Sequence, residues 1–456
     1  MDLPPVPAGA PALLPRLLDA GSWFGRRLAD AWDVPLRSYL RSLIPPERPS
    51  GSAGPWLSLL AEAVARDADG GPEAADTLLR RPVIQQSDHA NLLLDRETCL
   101  NNVLFHRAAA DAGLPVAINS QCTTVVCLSR RVPPTGPVFL GVAGGRYDVF
   151  GRSRNEYRRS NFCALRGPVE IVLRPTGPTA LPPSLAARFV GRVFPDAPTA
   201  YRVCNTELWS GFGTDRGVRR VQLDEATTAE ALALHVEHPG SPVRRLLFDP
   251  PVRSAFLAVK REIVASPDNL VVNRAAPDWF WLRRGSRLVA LVRTEGGYVS
   301  EHDGSPAPLD LEDPAVVAAA LRAGDLHGDR VLAYLVRSML PGAVAVGGSV
   351  QQDYTAAYRT MLARTQELTP FLDAGELATV LDPDLSRLGG APLLEPPPAE
   401  HADWDRLGVG ADPAELVAPW LERTVGAAVG GLDCAWFYDG NLRAAQRRRV
   451  IQGANS

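Results

Sequence analysis

Lysine is nearly missing from this chain: Lys260 stands alone among 456 residues, beside only three methionines. An excess of charge of one sign is missing too. The net charge of -3 and a pI of about 6.2 exclude a general attraction to nucleic acid or to an anionic membrane. No apolar run is long enough to span a bilayer. The opening MDLPPVPAGAPALLPRLLDAG has an acidic second residue and several prolines, unlike a signal peptide. A soluble, cytoplasmic protein is expected, with no nucleic-acid or membrane partner. The six cysteines (Cys99, Cys122, Cys127, Cys163, Cys204, Cys434) are scattered and none forms a CxxC pair. Reduced, mostly buried thiols and no metal site are expected.

What is present is apolar material, 46% of the chain, enough for a large core split over two or three lobes. The most informative stretch runs from Arg80 to Arg131. Pro82 to Gln86 reads as a strand and SDHAN as a polar turn. A helix follows with apolar residues at Leu100, Val103, Leu104 and Ala108, then a β-branched strand between Leu114 and Leu128. This is one βαβ unit, in which ligands bind at the carboxyl ends of the strands, here Gln85 to Asn91.

The chain up to about residue 80 reads as a helical N-terminal lobe, broken at PPERPSGSAGP. Residues 81–165 form the first half of a Rossmann-like parallel core, and 166–243 an inserted subdomain. The second half, with a β-hairpin, spans 244–368, and 369–456 is a helical C-terminal region. The basic segment Arg152, Arg154, Arg158, Arg159 and Arg166 suits either a solvated face or a clamp for a carboxylate or phosphate. Arg245 to Phe248 reads as a strand ending at Asp249, a residue suited to capping the next helix or to facing the cleft. His302 falls in a turn, and the basic tail Arg447 to Arg449 reads as a solvated helix end. The strand Ala343 to Val346 leads into VGGSVQQDY, where Gly347 and Gly348 let a backbone approach a ligand and the next helix offers free N–H groups.

Two turns together resemble one family. In the bacillithiol biosynthesis cysteine-adding enzymes, a hairpin ending in GGRFVGKDG precedes two helices, a strand and the motif G-G-P-G-E-x-A-Y. Here EGGYVSEHDG is followed at similar spacing by VGGSVQQDY. Gly347, Gly348 and Tyr354 match, whereas Ser349 replaces the proline, Val350 the glycine after it and Gln351 the glutamate. The family's GQQAGLLTGPLYTIHK lies over SDHANLLLDRETCLNN, with His89 on the second glutamine, Asn91 on the glycine and Asn102 on the lysine. That turn occupies the place of the H-I-G-H signature of class I synthetase-like folds. The family's acidic GEDHD is matched by NSQCTTVVC. The resemblance spans roughly residues 50 to 370 and implies an α/β fold with a Rossmann-like core.

The resemblance implies a ligase-like enzyme joining a cysteine-like amino acid to an amine-bearing small molecule, in a biosynthetic pathway. An amide is uphill in water, so ATP or another activated donor is implied. His89 and Asp88 are the expected catalytic residues. Gln85, Asn91, Asn102, Asn119, Gln121, Gly347, Gly348, Ser349, Gln351 and Tyr354 are the expected substrate-binding set, an amide-rich pocket for a neutral or zwitterionic molecule. A second reading keeps the fold without catalysis, as a binder of a small ligand or partner protein. A third makes Cys122 a nucleophile with His89 as its base. A homodimer is compatible with all three.

Overall fold

Five short strands carry the fold of the computed structural model, which describes residues 4–128, 135–142, 144–212, 217–266, 277–394 and 412–429. They are β1 (Val83–His89), β2 (Val116–Cys122), β3 (Arg219–Leu223), β4 (Val344–Gly347) and β5 (Ser386–Leu388). They lie side by side in the order β5-β4-β1-β2-β3, and every pair is parallel. Alternate residues feed opposite faces: Val83, Ala117, Val344 and Val346 join one apolar cluster, while Ile84, Ile118 and Ala345 join another. Burial on both faces is what a parallel sheet requires. The fold is therefore mixed α/β, consistent with a Rossmann-like core. The strand order reverses direction between β1 and β4, and a crevice opens there at the carboxyl ends.

The main helices are α1 (Arg96–Asp111), α2 (Ala197–Gly211), α3 (Glu225–Glu237), α4 (Pro250–Ala265) and α5 (Gln351–Leu368). α1 starts where Asp95 accepts the Thr98 N–H at 3.0 Å, an N-cap that turns the chain away from β1. An antiparallel sheet of Phe280–Arg284, Arg287–Thr294, Gly297–Ser300 and Leu326–Gly328 carries Trp279, Phe280 and Trp281. Among the described residues no helix is long and apolar enough to cross a membrane.

Several expectations change. β1 runs past Gln86 through Asp88 and His89, residues expected in a turn; its register against β2 shifts between Gln85 and Asp88, a β-bulge that keeps the polar end paired. β3 comes from the span expected as an insertion, where RRVQL offers only Val221 and Leu223 as apolar residues, and β5, three residues long, from the span expected to be helical. Arg245 to Phe248 is helical, within Pro242–Phe248. Ser241 caps it, Pro242 opens it, and Val243, Leu246 and Leu247 bury one face. Asp249 precedes α4 without accepting a capping hydrogen bond. Arg154, Arg158 and Arg159 are exposed, and Arg166 donates to the Ala323 and Gly324 carbonyls. The hairpin start at 269–276, Cys434 and the tail Arg447 to Arg449 lie outside the described residues.

Candidate functional site

The crevice between β1 and β4 holds a cavity of about 450 Å³. From the sequence-predicted set, His89, Asp88, Gly348, Ser349, Gln351 and Tyr354 line it. The two distant loops do meet over one hollow. The cavity also takes Glu97 and Asn101 from α1, Ser120 and Cys122 from β2, Glu225 from α3, and Arg330, Tyr334 and Arg337 from the helical turn before β4. Trp281 stands at its edge.

Gln85, Asn91, Asn102, Asn119, Gln121 and Gly347 do not line it, for a reason visible in their hydrogen bonds. Asp88 accepts from Asn101 Nδ2 at 2.9 Å and from Asn102 Nδ2 at 2.7 Å, and Gln85 supports it from the same strand. Arg220 Nε donates to Asn102 Oδ1 at 2.7 Å, and Arg220 Nη2 to Gln222 Oε1 at 2.9 Å. Gln222 Nε2 donates to Gln121 Oε1 at 3.1 Å. Gln121 and Asn205 both donate to the Asn91 carbonyl. Asn119 donates to backbone carbonyls within the sheet. The amides are therefore a largely buried hydrogen-bonded network beside the cavity, where they fix the ends of β1 and β2. Gly347 has a packing role. A Cβ there would lie 1.2 Å from Gln351 Oε1, so glycine is what lets the Gln351 amide lie flat and donate to the Ala345 carbonyl at 2.9 Å.

The lining is richer in charge than the sequence suggested. Burial, with Asp95 nearby, pushes the Glu97 carboxyl up to about 7, and His89 pulls the other way. His89 is exposed at the mouth, yet the walls around it displace water and hold its imidazole below the usual histidine range, with Glu97 opposing. Burial pushes Glu225 up to about 7 and Asp88 up to about 6. Arg337 is buried and donates to Ser120 Oγ at 2.7 Å. Arg330 lies 5.3 Å from the Tyr354 ring centre, and the Tyr334 and Tyr354 hydroxyls meet at 2.9 Å. β-sheet register pairs Cys122 with His89. Among the described residues the cysteines are free, and no group of three or more His, Cys, Asp or Glu is placed to hold a metal ion.

One signal for the missed residues was present. Arg330, Tyr334 and Arg337 fall at i, i+4 and i+7 on an otherwise apolar helical stretch, and Gln351, Tyr354 and Tyr358 fall at i, i+3 and i+7 on a more polar one. Each set is a polar stripe on a buried helix, which needs something to face.

The raised carboxyls give the fold a pH signature. A carboxyl with a folded pKa above its unfolded one binds more protons when folded, so its contribution is lost as pH rises through the folded value. Glu97 and Glu225 act this way near pH 7. His235 and His327, held neutral by burial at about 3 and about 4, act oppositely as pH falls below the ordinary histidine range. The urea midpoint is expected to decline as pH rises from about 6 and to level off by about pH 8. Glu225→Gln should flatten that decline; an unchanged slope would contradict the assignment.

Comparison of the chain with protein-family models, with curated proteins and with solved structures finds no match, so its function rests on the chemistry of this cavity.

Proposed function

We propose that the chain is a C–N bond-forming enzyme that joins a cysteine-like amino acid to an amine-bearing small molecule, a divergent relative of the bacillithiol cysteine-adding enzymes. The observation that carries this reading is the pair His89 and Glu97. A neutral imidazole and a carboxyl poised near pH 7 face one cavity at the strand switch point. Groups tuned toward neutrality in a cleft are suited to proton transfer. Arg330 and Arg337 suit carboxylates, and the carboxyls and tyrosines suit an ammonium, so a zwitterion matches the lining.

In the reaction, the amine nitrogen attacks the acyl carbon of an activated donor and the C–N bond forms. His89 takes the proton lost by the nitrogen, and the bond from the carbonyl carbon to the leaving group breaks. The donor's activating group has one suitable neighbourhood. The N-terminus of α1 carries Asp95 and Glu97, with no glycine between His89 and Arg96. It repels a polyphosphate rather than cradling it. The Gly348–Ser349 turn before α5, with Arg330 in the same lining, carries the sign of charge that an anionic leaving group needs.

The test is to incubate the protein with cysteine, a panel of amino sugars and other small amines, and either ATP or pre-activated cysteinyl donors. An amide mass dependent on the protein is expected; its absence for every donor with ligand-induced thermal shifts retained would favour a binding role. One observation favours a second reading, in which the acyl group passes first to a thiol: Cys122 stands across from His89 and hydrogen-bonds Glu225. Cys122→Ser separates the two, since direct transfer predicts a rate within about threefold of wild type.

A further inference from the structure

The base of the cavity contains polar atoms that the described protein leaves unmatched. Gln86 is 9% exposed and lines the cavity, and neither its Nε2 nor its Oε1 has a hydrogen-bond partner. Arg337 is also 9% exposed; Nη1 is occupied by Ser120 Oγ, while Nε has no partner. No salt bridge pairs Arg337 among the described residues. Arg337 acts on the Glu225 carboxyl, which burial nonetheless holds short of full ionisation. Gln86 and Ser120 both fall in the bulge between the Gln85–Asn119 and Asp88–Gln121 pairs of β1 and β2, and both line the cavity. Arg337, bonded to Ser120 of β2, and Gln86 of the adjoining β1 therefore line the same cavity.

Buried donors and acceptors left unmade cost about 1–3 kcal/mol each, and a buried guanidinium without an anion costs more. Such a cluster is normally completed by what binds there. We infer that Arg337 and Gln86 form a carboxylate subsite. The Nε edge of Arg337 and Nε2 of Gln86 donate to a carboxylate of the ligand, and Gln86 Oε1 accepts from an N–H or O–H beside it. His89 stands at the mouth and this subsite at the floor, so the carboxylate held there is one the reaction does not consume. The inference rests on the proposed reading only for which substrate brings that carboxylate; the subsite itself stands on geometry.

The test uses the full chain and two probes of equal length, glutarate and its uncharged diamide, glutaramide, with binding measured by calorimetry. Glutarate should bind about 10- to 100-fold more tightly, the value of hydrogen bonds to a charged group. Arg337→Met should remove that preference. Gln86→Glu, nearly isosteric and therefore safe if loss of the buried guanidinium unfolds the chain, should weaken glutarate by at least about tenfold and leave glutaramide unchanged. His89→Ala should leave glutarate affinity within about threefold. Equal binding of the two probes by wild type, or a glutarate affinity indifferent to Gln86→Glu, overturns the subsite. If no amide product is ever formed while the charge preference holds, the condensation reading fails and the subsite stands; product formation without the preference gives the reverse.

Discussion

Glu97→Gln is expected to lower the rate of amide formation roughly 100- to 10,000-fold, the range of a lost acid–base group, with substrate affinity within about threefold. The split follows from where the residue sits. Glu97 lines the cavity from the first turn of α1, and its carboxyl is the first influence opposing the depressed basicity of His89. Removing the charge leaves the ring in place but makes it a weaker base. His89→Ala should fall in the same range, and the double variant little lower, because the two act on one proton. The pH profile adds a sign. His89 is neutral across the physiological range, so the ionisation that limits the wild-type rate is that of Glu97; the rate should rise with pH and level off above about 7. Glu97→Gln should lose that limb. A variant that keeps both the limb and most of the rate would show that Glu97 is only a buried acid at a helix start.

The strands that define the crevice were legible because their flanks obey simple rules. PVIQQ followed by a polar segment, and AVAVGG followed by a polar helix start, each mark a strand leading to a turn, and the two do converge. The wrong part was which polar residues face the ligand. An amide in a strand end carries no sign of whether it turns toward the cavity or toward a neighbouring amide. Asn102 and Gln121 turned inward because Arg220 and Gln222, about 100 residues away in the chain, reach them. Glu97 was in plain view in DRETC, but its orientation depends on the Asp95 cap and on the bulge in β1, neither of which has a periodic signature. Glu225 was hidden by the polar composition of β3, RRVQL: without the strand there is no strand end for it to follow.

Those same long-range ties hold the site's backbone in place. Three carboxyls and an imidazole at the rim of a sheet influence one another's protonation only while their backbones hold them in place. The network of Asp88, Asn102, Arg220, Gln222 and Gln121 holds β1, α1, β2 and β3 together just under the floor. Supporting hydrogen bonds of this kind set the placement of the groups above them.

The only lysine in the chain makes the second large effect. Lys260 on α4 is 4% exposed, as is its partner Asp329, and Nζ donates to Asp329 Oδ2 and to the Pro277 and Asp278 carbonyls. Asp329 in turn caps the helix that carries Arg330, Tyr334 and Arg337 through the Leu332 N–H at 2.9 Å. Lys260→Met keeps the aliphatic stem beside Trp279 and removes the charge. It strands a buried carboxylate and two carbonyls, and is expected to cost about 3–5 kcal/mol in urea unfolding. The double variant Lys260→Met with Asp329→Asn should recover part of that loss, since the uncompensated charge is gone. pH supplies the discriminating sign. Burial already raises the Asp329 pKa while Lys260 holds it down; without the cation it rises further. A carboxyl raised above its unfolded value destabilises only where it must ionise, so the cost of Lys260→Met should shrink as pH falls toward the ordinary carboxyl range. A cost that stayed constant with pH would mean that lost packing, rather than an orphaned charge, is what the substitution removes.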